Sequence, residues 1–166
     1  MKLYFRSSSE ETTLYFGRTL GTFLVPGIVV LLSGELGMGK TLLARGIGES
    51  LGTTRVRSPS FTLVNEYPTD KCALIHADLY RLEPEDVEDL GLEDYLEGPE
   101  PCVLLVEWPE RWKTQPDSEV LEISIQAAGE ASRVFEVFSR GAKADSVFRG
   151  LRGLFEGQDE KFECAK

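Results

Sequence analysis

Residues 34–41 combine glycine, lysine and threonine in a spacing that binds phosphate. Gly34 and Gly39 are separated by four residues and followed by Lys40 and Thr41, which is the P-loop pattern. Glycine permits backbone conformations closed to other residues, so N–H groups at a helix N-terminus can surround an anion. Lys40 would neutralise the β- and γ-phosphates of a nucleotide, and the Thr41 hydroxyl would be a ligand of Mg²⁺. We predict that the nucleotide is bound by Glu35, Leu36, Gly37, Met38, Gly39, Lys40 and Thr41.

Two carboxylates follow apolar runs and are candidates for the metal and the attacking water. Glu107 ends the run 102–106, and Asp78 ends the run 74–77. In open α/β sheets, functional groups gather at the carboxyl ends of the strands. We therefore expect Glu107 to serve Mg²⁺, directly or through water. Asp78 could position the water, act as base or bind Mg²⁺ through water, unless it only caps a turn. His76 is either a buried core group or a base.

The predicted elements around these residues alternate between strand and helix. Residues 28–32 form a continuous apolar run, as in a strand buried on both faces, and residues 41–51 show helical spacing that ends at Gly52. Further strands are predicted at 3–5 (an edge strand), 61–67, 72–77 and 102–106, a hairpin at 120–126 and 133–139, and helices at 7–23, 83–98 (two short pieces) and 143–155.

This pattern predicts an α/β fold, a single P-loop NTPase-like domain. Its central sheet is mostly parallel, with antiparallel hairpin additions and flanking helices. We place the domain at residues 1–156 and a flexible tail at 157–166.

Composition excludes several classes of function. The chain has 166 residues and a net charge of -10, whereas a protein that grips nucleic acid needs a basic surface. We therefore expect little direct nucleic-acid binding. Three cysteines without a CxxC pair indicate buried thiols rather than zinc or disulfides. No signal peptide or membrane-length apolar run is visible, so we expect a cytoplasmic protein with no membrane contact.

The nucleotide is predicted by elimination. The Asn-Lys-x-Asp and Asp-x-x-Gly motifs of GTPases are absent, which favours ATP or ADP with Mg²⁺. No arginine can be assigned as a finger within the chain, and such a site is typical of slow hydrolysis that a partner accelerates. A small-molecule kinase, with residues 83–98 as a lid, and a non-catalytic nucleotide sensor are the alternatives.

Four motifs in combination resemble one family. They are residues 34–41 (GELGMGKT), 58–67 (SPSFTLVNEY), 76–81 (HADLYR) and 107–111 (EWPER). Their order and spacing resemble the TsaE (YjeE) family of bacterial ATPases, which support threonylcarbamoyladenosine formation in tRNA. One departure is Ser60, where the family's Pro-Thr-Phe has threonine.

The resemblance implies roles for particular residues and partners. It implies that Lys40 grips phosphate, that Thr41 and Glu107 serve Mg²⁺, and that Asp78 belongs to the catalytic set with Lys40 and Glu107. It places Arg133 near the nucleotide and makes 58–67 a switch-like segment. The implied partners are TsaB and TsaD, with TsaD catalysing threonylcarbamoyl transfer to adenosine 37 of tRNA and ATP hydrolysis letting the complex turn over.

Overall fold

The strand before the phosphate loop lies near the middle of one mixed sheet. The computed structural model describes residues 2–100 and 102–155, together with the backbone of 162–165. In these residues the strands are β1 Lys2–Ser7, β2 Val29–Ser33, β3 Val64–Pro68, β4 Ala73–Asp78, β5 Cys102–Glu107, β6 Val120–Ala127, β7 Arg133–Arg140 and β8 Phe162–Ala165. The helices are α1 Glu10–Phe23, α2 Lys40–Leu51, α3 Pro84–Val87, α4 Leu92–Glu97 and α5 Ala142–Phe155, with 3₁₀ turns at Glu88–Leu90 and Pro109–Arg111.

The sheet order is β3-β4-β5-β2-β6-β7-β1-β8. β2 pairs in parallel with both β5 and β6, and β4 pairs in parallel with β5. The remaining pairs are antiparallel, including the β6–β7 hairpin. The predicted α/β class, with a parallel centre and antiparallel additions, is confirmed. Residues 29–32 are buried because helices and turns cover both faces of β2.

Two apolar clusters lie on the two faces of the sheet. One includes Phe5 on β1, Phe16 on α1 and Phe148 on α5, with the Phe5 and Phe16 rings stacked at 4.4 Å between centroids. The other lies under the short helices α3 and α4 and includes the buried Trp112. The apolar stripe of the last helix therefore faces the core, as its spacing indicates.

The cysteine thiols that the structure describes are free and buried. Cys72 belongs to the cluster under the long helices and Cys102 to the cluster on the opposite face. Burial raises the pKa of both thiols. Within the described residues, no helix combines the length and apolarity needed to cross a bilayer.

Two expectations about strands need correction. The strand predicted at 61–67 begins only at Val64, because Leu63 has a left-handed backbone (φ 67°) and residues 61–63 form a turn. The predicted edge strand 3–5 is internal, since β1 lies between β7 and β8. β8 was not predicted; it falls in the proposed tail 157–166, of which residues 157–161 and 166 lie outside the described part. The domain boundary stays a prediction.

Helix α1 packs against the phosphate-loop helix α2 at unusually short range. A Cβ added to Gly17 would lie 2.6 Å from the Leu43 carbonyl oxygen and 2.9 Å from the Gly46 Cα. A Cβ added to Gly46 would meet the Leu14 carbonyl oxygen at 2.6 Å. These neighbours are backbone atoms that cannot rotate away. Arg18 reinforces the crossing, since its Nε donates to Glu49 Oε2 at 2.6 Å.

We predict that Gly17→Ala lowers the free energy of unfolding by about 1–3 kcal/mol, because the added methyl forces the two helix backbones apart. Gly153→Ala is the matched control, since this helical glycine has open space around it and alanine favours helix. Urea unfolding of both variants measures the difference. Equal stability of the two variants would contradict close backbone packing at Gly17.

Candidate functional site

The phosphate loop connects the end of β2 to the start of α2 with the backbone that glycine permits. Gly37 and Gly39 have φ of 79° and 101°, in the left-handed region. Gly34 also has a positive φ, and a Cβ there would lie 2.7 Å from the Ile125 carbonyl oxygen. Gly39 is the N-cap of α2 and provides no side-chain cap. The first N–H groups of α2 therefore remain available for an anion.

Lys40 is buried with its ammonium group turned back over the loop. Its Nζ donates to the carbonyl oxygens of Gly34 at 2.5 Å and Glu35 at 2.9 Å. It also lies 4.0 Å from the centroid of the Trp108 ring. Burial lowers the pKa of Lys40, while the nearby carboxylates of Glu107 and Asp78 oppose that shift. An anion bound beside this ammonium group would also oppose it.

Glu107 connects the phosphate-loop helix to the neighbouring strands. Thr41 Oγ1 donates to Glu107 Oε1 at 3.1 Å, and His76 Nε2 lies 2.9 Å from the same oxygen. Within the described chain, no residue is hydrogen-bonded to Glu107 Oε2. Thr41 and Glu107, which were each predicted to serve Mg²⁺, are therefore in direct contact, with one carboxylate oxygen left for a ligand.

Asp78 pairs with Glu107 across the parallel strands β4 and β5. Its Oδ1 accepts from the Tyr80 N–H at 3.0 Å, as in a turn-capping aspartate. Its Oδ2 accepts from Ser60 Oγ at 2.8 Å, and Ser60 Oγ lies 2.6 Å from Ser58 Oγ. Asp78 thus caps a turn and also reaches the site, so the two interpretations of this residue are not exclusive.

These groups surround a cavity of about 230 Å³. Its lining residues are Leu36, Gly37, Met38, Gly39, Lys40, Thr41, Leu42, Ser58, Ser60, Asp78, Tyr80, Glu107 and Trp108. It brings together every predicted catalytic and metal residue and most of the predicted loop. Glu35 does not line this cavity. It lines a second cavity of about 440 Å³ on the β6 side. Arg133 lines neither cavity and donates to the Ser132 carbonyl oxygen.

Several lining residues were not predicted as site residues. Trp108 has a left-handed backbone (φ 60°) and packs on Tyr80 with 4.8 Å between ring centroids. Its position directly after the strand-ending Glu107 was the available signal. The Ser60 hydroxyl belongs to one of the four motifs, but its contact with Asp78 could not be predicted from them. That hydrogen bond joins residues 18 positions apart and depends on the turn before β3.

The donor set fits Mg²⁺ held together with phosphate. Thr41 and Glu107 supply one hydroxyl and one carboxylate. Among the described residues, no group of three or more His, Cys, Asp or Glu side chains could hold a metal. Mg²⁺ commonly takes one or two protein ligands and completes its octahedron with waters and substrate phosphates. The site therefore suits a nucleotide-bound metal rather than a metal bound by protein alone.

The strand, glycine loop and helix, with a strand-ending carboxylate beside them, define a P-loop NTPase-like α/β domain. The sequence profile described as "Threonylcarbamoyl adenosine biosynthesis protein TsaE" matches residues 7–135. The chain belongs to the TsaE family, and this confirms the resemblance drawn from the four motifs. Membership supports a role in tRNA threonylcarbamoyladenosine biosynthesis.

Similar proteins agree with this assignment. The tRNA threonylcarbamoyladenosine biosynthesis protein TsaE of Nostoc sp. is 44% identical over 133 residues, covering 78% of this chain and 82% of the relative. The protein of the same name from Bacillus subtilis is 41% identical over 133 residues, covering 80% and 82%. The crystal structure of Bacillus subtilis YdiB superposes with a TM-score of 0.80 at 32% identity, covering 93% of this chain and 96% of that one.

We predict that Ser60→Ala lowers the free energy of unfolding by about 1.5 kcal/mol, because the buried Asp78 carboxylate loses the hydrogen bond that Ser60 donates. Ser60→Thr keeps the hydroxyl and should stay close to wild type. Thr62→Ala is the control, since Thr62 Oγ1 donates to Asn65 in the same segment without touching Asp78. If chemical denaturation gives Ser60→Ala and Thr62→Ala equal stabilities, the contact with Asp78 contributes nothing.

Proposed function

We propose that this chain is a Mg²⁺-dependent ATPase that supports threonylcarbamoyl transfer to tRNA by TsaB and TsaD. The observation that carries the proposal is the convergence of Lys40, the Thr41–Glu107 pair and Asp78 on one cavity at the uncapped start of α2. Each group matches one requirement of phosphoryl transfer to water: charge neutralisation, metal binding and orientation of the nucleophile.

Lys40 and the start of α2 would bind the β- and γ-phosphates. The ammonium group lies beside the loop carbonyls, and Lys40 as a residue is 5% exposed, so few waters would compete with a bound anion. The N–H groups of the loop and of the first turn of α2 are further donors, and no side-chain cap occupies them. Together with Lys40 they would stabilise the negative charge that develops on the transferred phosphoryl group.

Thr41 and Glu107 would hold Mg²⁺. When bound, the ion neutralises charge on the phosphate oxygens. Glu107 is 3% exposed and its Oε1 is fixed by Thr41, so its carboxylate does not have to be ordered when the ion arrives. This arrangement supports binding of the metal and the nucleotide together.

Asp78 would orient the attacking water. It lies opposite Glu107 in the strand register and lines the same cavity. Ser60 and the Tyr80 N–H each occupy one of its oxygens, which fixes the plane of the carboxylate. A carboxylate with remaining lone pairs can accept a hydrogen bond from a water aligned with the γ-phosphate.

The site supports slow hydrolysis that a partner accelerates. Lys40 is the one cationic side chain among the residues that line the 230 Å³ cavity, and no arginine lines it. In related chemistry, an arginine supplied to the transition state raises kcat by several orders of magnitude. TsaB and TsaD are the partners implied by the family, and the net charge of -10 favours action through proteins rather than through direct tRNA binding.

Phosphate release from ATP tests this function directly. We expect slow release of free phosphate by the chain with Mg²⁺, and faster release when TsaB and TsaD are added. Transfer of phosphate to an added metabolite instead of water would identify a kinase. Binding of ATP without any turnover, with or without the partners, would identify a sensor and reject the ATPase.

Lys40→Ala is expected to weaken ADP–Mg²⁺ binding about 100-fold or more, because a buried charge-assisted contact with phosphate is lost, roughly 3 kcal/mol. Calorimetric titration measures the affinity. Lys143→Ala is the control, because Lys143 lies away from the phosphate loop. Its Nζ donates to the carbonyl oxygen of Pro26, which precedes β2, whereas the loop follows β2. Unchanged affinity in Lys40→Ala would contradict the phosphate role.

Asp78→Asn is expected to keep ADP–Mg²⁺ affinity within a few-fold and to lower phosphate release about 100-fold, the usual scale for losing a positioned base. Asparagine keeps the size and one acceptor oxygen but loses the charge. The same titration and a phosphate-release assay separate binding from turnover. Wild-type turnover in this variant would remove Asp78 from the chemistry.

A further inference from the structure

His76 is a fully buried residue that the roles above leave unassigned. It lies on β4, paired with Asn65 of β3 and Leu105 of β5. Its Nε2 is 2.9 Å from Glu107 Oε1. Its Nδ1 is buried and has no hydrogen-bond partner among the residues that the structure describes. One ring nitrogen is therefore directed at Glu107, and the other is buried without a hydrogen-bond partner among the described residues.

The hydrogen bonds define which ring nitrogen carries the proton. Glu107 Oε1 already accepts from Thr41, so it acts as an acceptor toward the imidazole as well. Nε2 must then be the N–H donor. The geometry therefore assigns a proton to Nε2, which donates it to Glu107 Oε1.

Packing alone does not explain a histidine at this position. Its neighbours along the strand are Leu74, Ile75 and Ala77, and all of them are largely or fully buried. An aliphatic side chain would fill such a place without burying an unpaired nitrogen. Residues that lower the stability of the fold are expected mainly at functional sites. At position 76, the functional contribution of histidine is its hydrogen bond to Glu107.

We propose that His76 is a positioning residue that fixes the Glu107 carboxylate for the metal. The imidazole and the Thr41 hydroxyl both bond to Oε1, from β4 and α2 respectively, and so orient Oε2 without occupying it. Groups that hydrogen-bond to a ligating carboxylate commonly set metal affinity. The inference rests on the proposed function, because it needs Glu107 to bind the metal that accompanies the nucleotide.

Binding of Mn²⁺ in the presence of ADP, followed by electron paramagnetic resonance of free Mn²⁺, tests the role without an activity assay. His76→Leu is expected to weaken Mn²⁺ binding about 10- to 100-fold while leaving metal-free ADP affinity unchanged. His76→Gln, whose amide N–H can replace Nε2–H, should recover most of the loss. Leu74→Val, on the same strand and not in contact with Glu107, controls for altered packing.

The outcomes separate this inference from the proposed function. If wild type binds Mn²⁺ with ADP and His76→Leu binds it equally well, His76 does not position Glu107. If His76→Leu and Leu74→Val lose affinity equally, the effect is packing, and the inference is wrong. If wild type shows no Mn²⁺ binding with ADP, the proposed function fails and the metal role of His76 fails with it.

Nuclear magnetic resonance of the wild-type protein tests the same hydrogen bond and needs neither a variant nor a nucleotide. His76 is the only histidine in the chain, so untagged protein labelled with ¹⁵N-histidine gives one set of long-range ring correlations. We expect a protonated Nε2. A proton on Nδ1 with none on Nε2 would overturn the hydrogen bond on which the proposal depends.

Discussion

Three ionisable side chains, Lys40, Asp78 and Glu107, are each at most 5% exposed and line one small cavity. Burial of charge is unfavourable unless partners compensate for it. Most of the local structure supplies those partners: loop carbonyls and an aromatic ring for the lysine, and hydroxyl, amide and imidazole groups for the carboxylates. The compensation is incomplete, since burial still lowers the pKa of Lys40. An anion beside the ammonium group would add to this compensation.

The geometry that creates this cavity depends on how closely α2 can approach its neighbours. Glycines at the α1–α2 crossing let the two backbones touch, and Gly34 lets the loop pass against β6. These contacts hold α2 against α1 and the loop against β6, beside the cavity in which the carboxylates lie. Rigid backbone contacts of this kind transmit position more reliably than flexible side chains do. The glycines outside the phosphate loop therefore belong to the support of the site.

Much of this arrangement could be predicted from local sequence signals. The apolar run before Gly34 and the helical spacing after Lys40 predicted the strand, loop and helix, and the strand-ending positions of Asp78 and Glu107 placed both in one cavity. The turn at 61–63 was missed because a left-handed Leu63 has no local signature. The contacts of Ser60 and His76 were missed because they join residues far apart in sequence. The place of Arg133 near a nucleotide stays a prediction.

The signs of the charges in the cavity explain why metal and nucleotide should bind as one ligand. Without either, the lining carries one ammonium group and two carboxylates, an excess of negative charge on side chains that are themselves buried. A free nucleoside triphosphate would meet repulsion from Asp78 and Glu107, which a divalent ion beside Glu107 removes. The ion alone lacks ligands, because Thr41 and Glu107 provide only part of an octahedron. Ser60 donates a hydrogen bond to Asp78 and so connects one of these carboxylates to the segment before β3, next to the exposed Phe61.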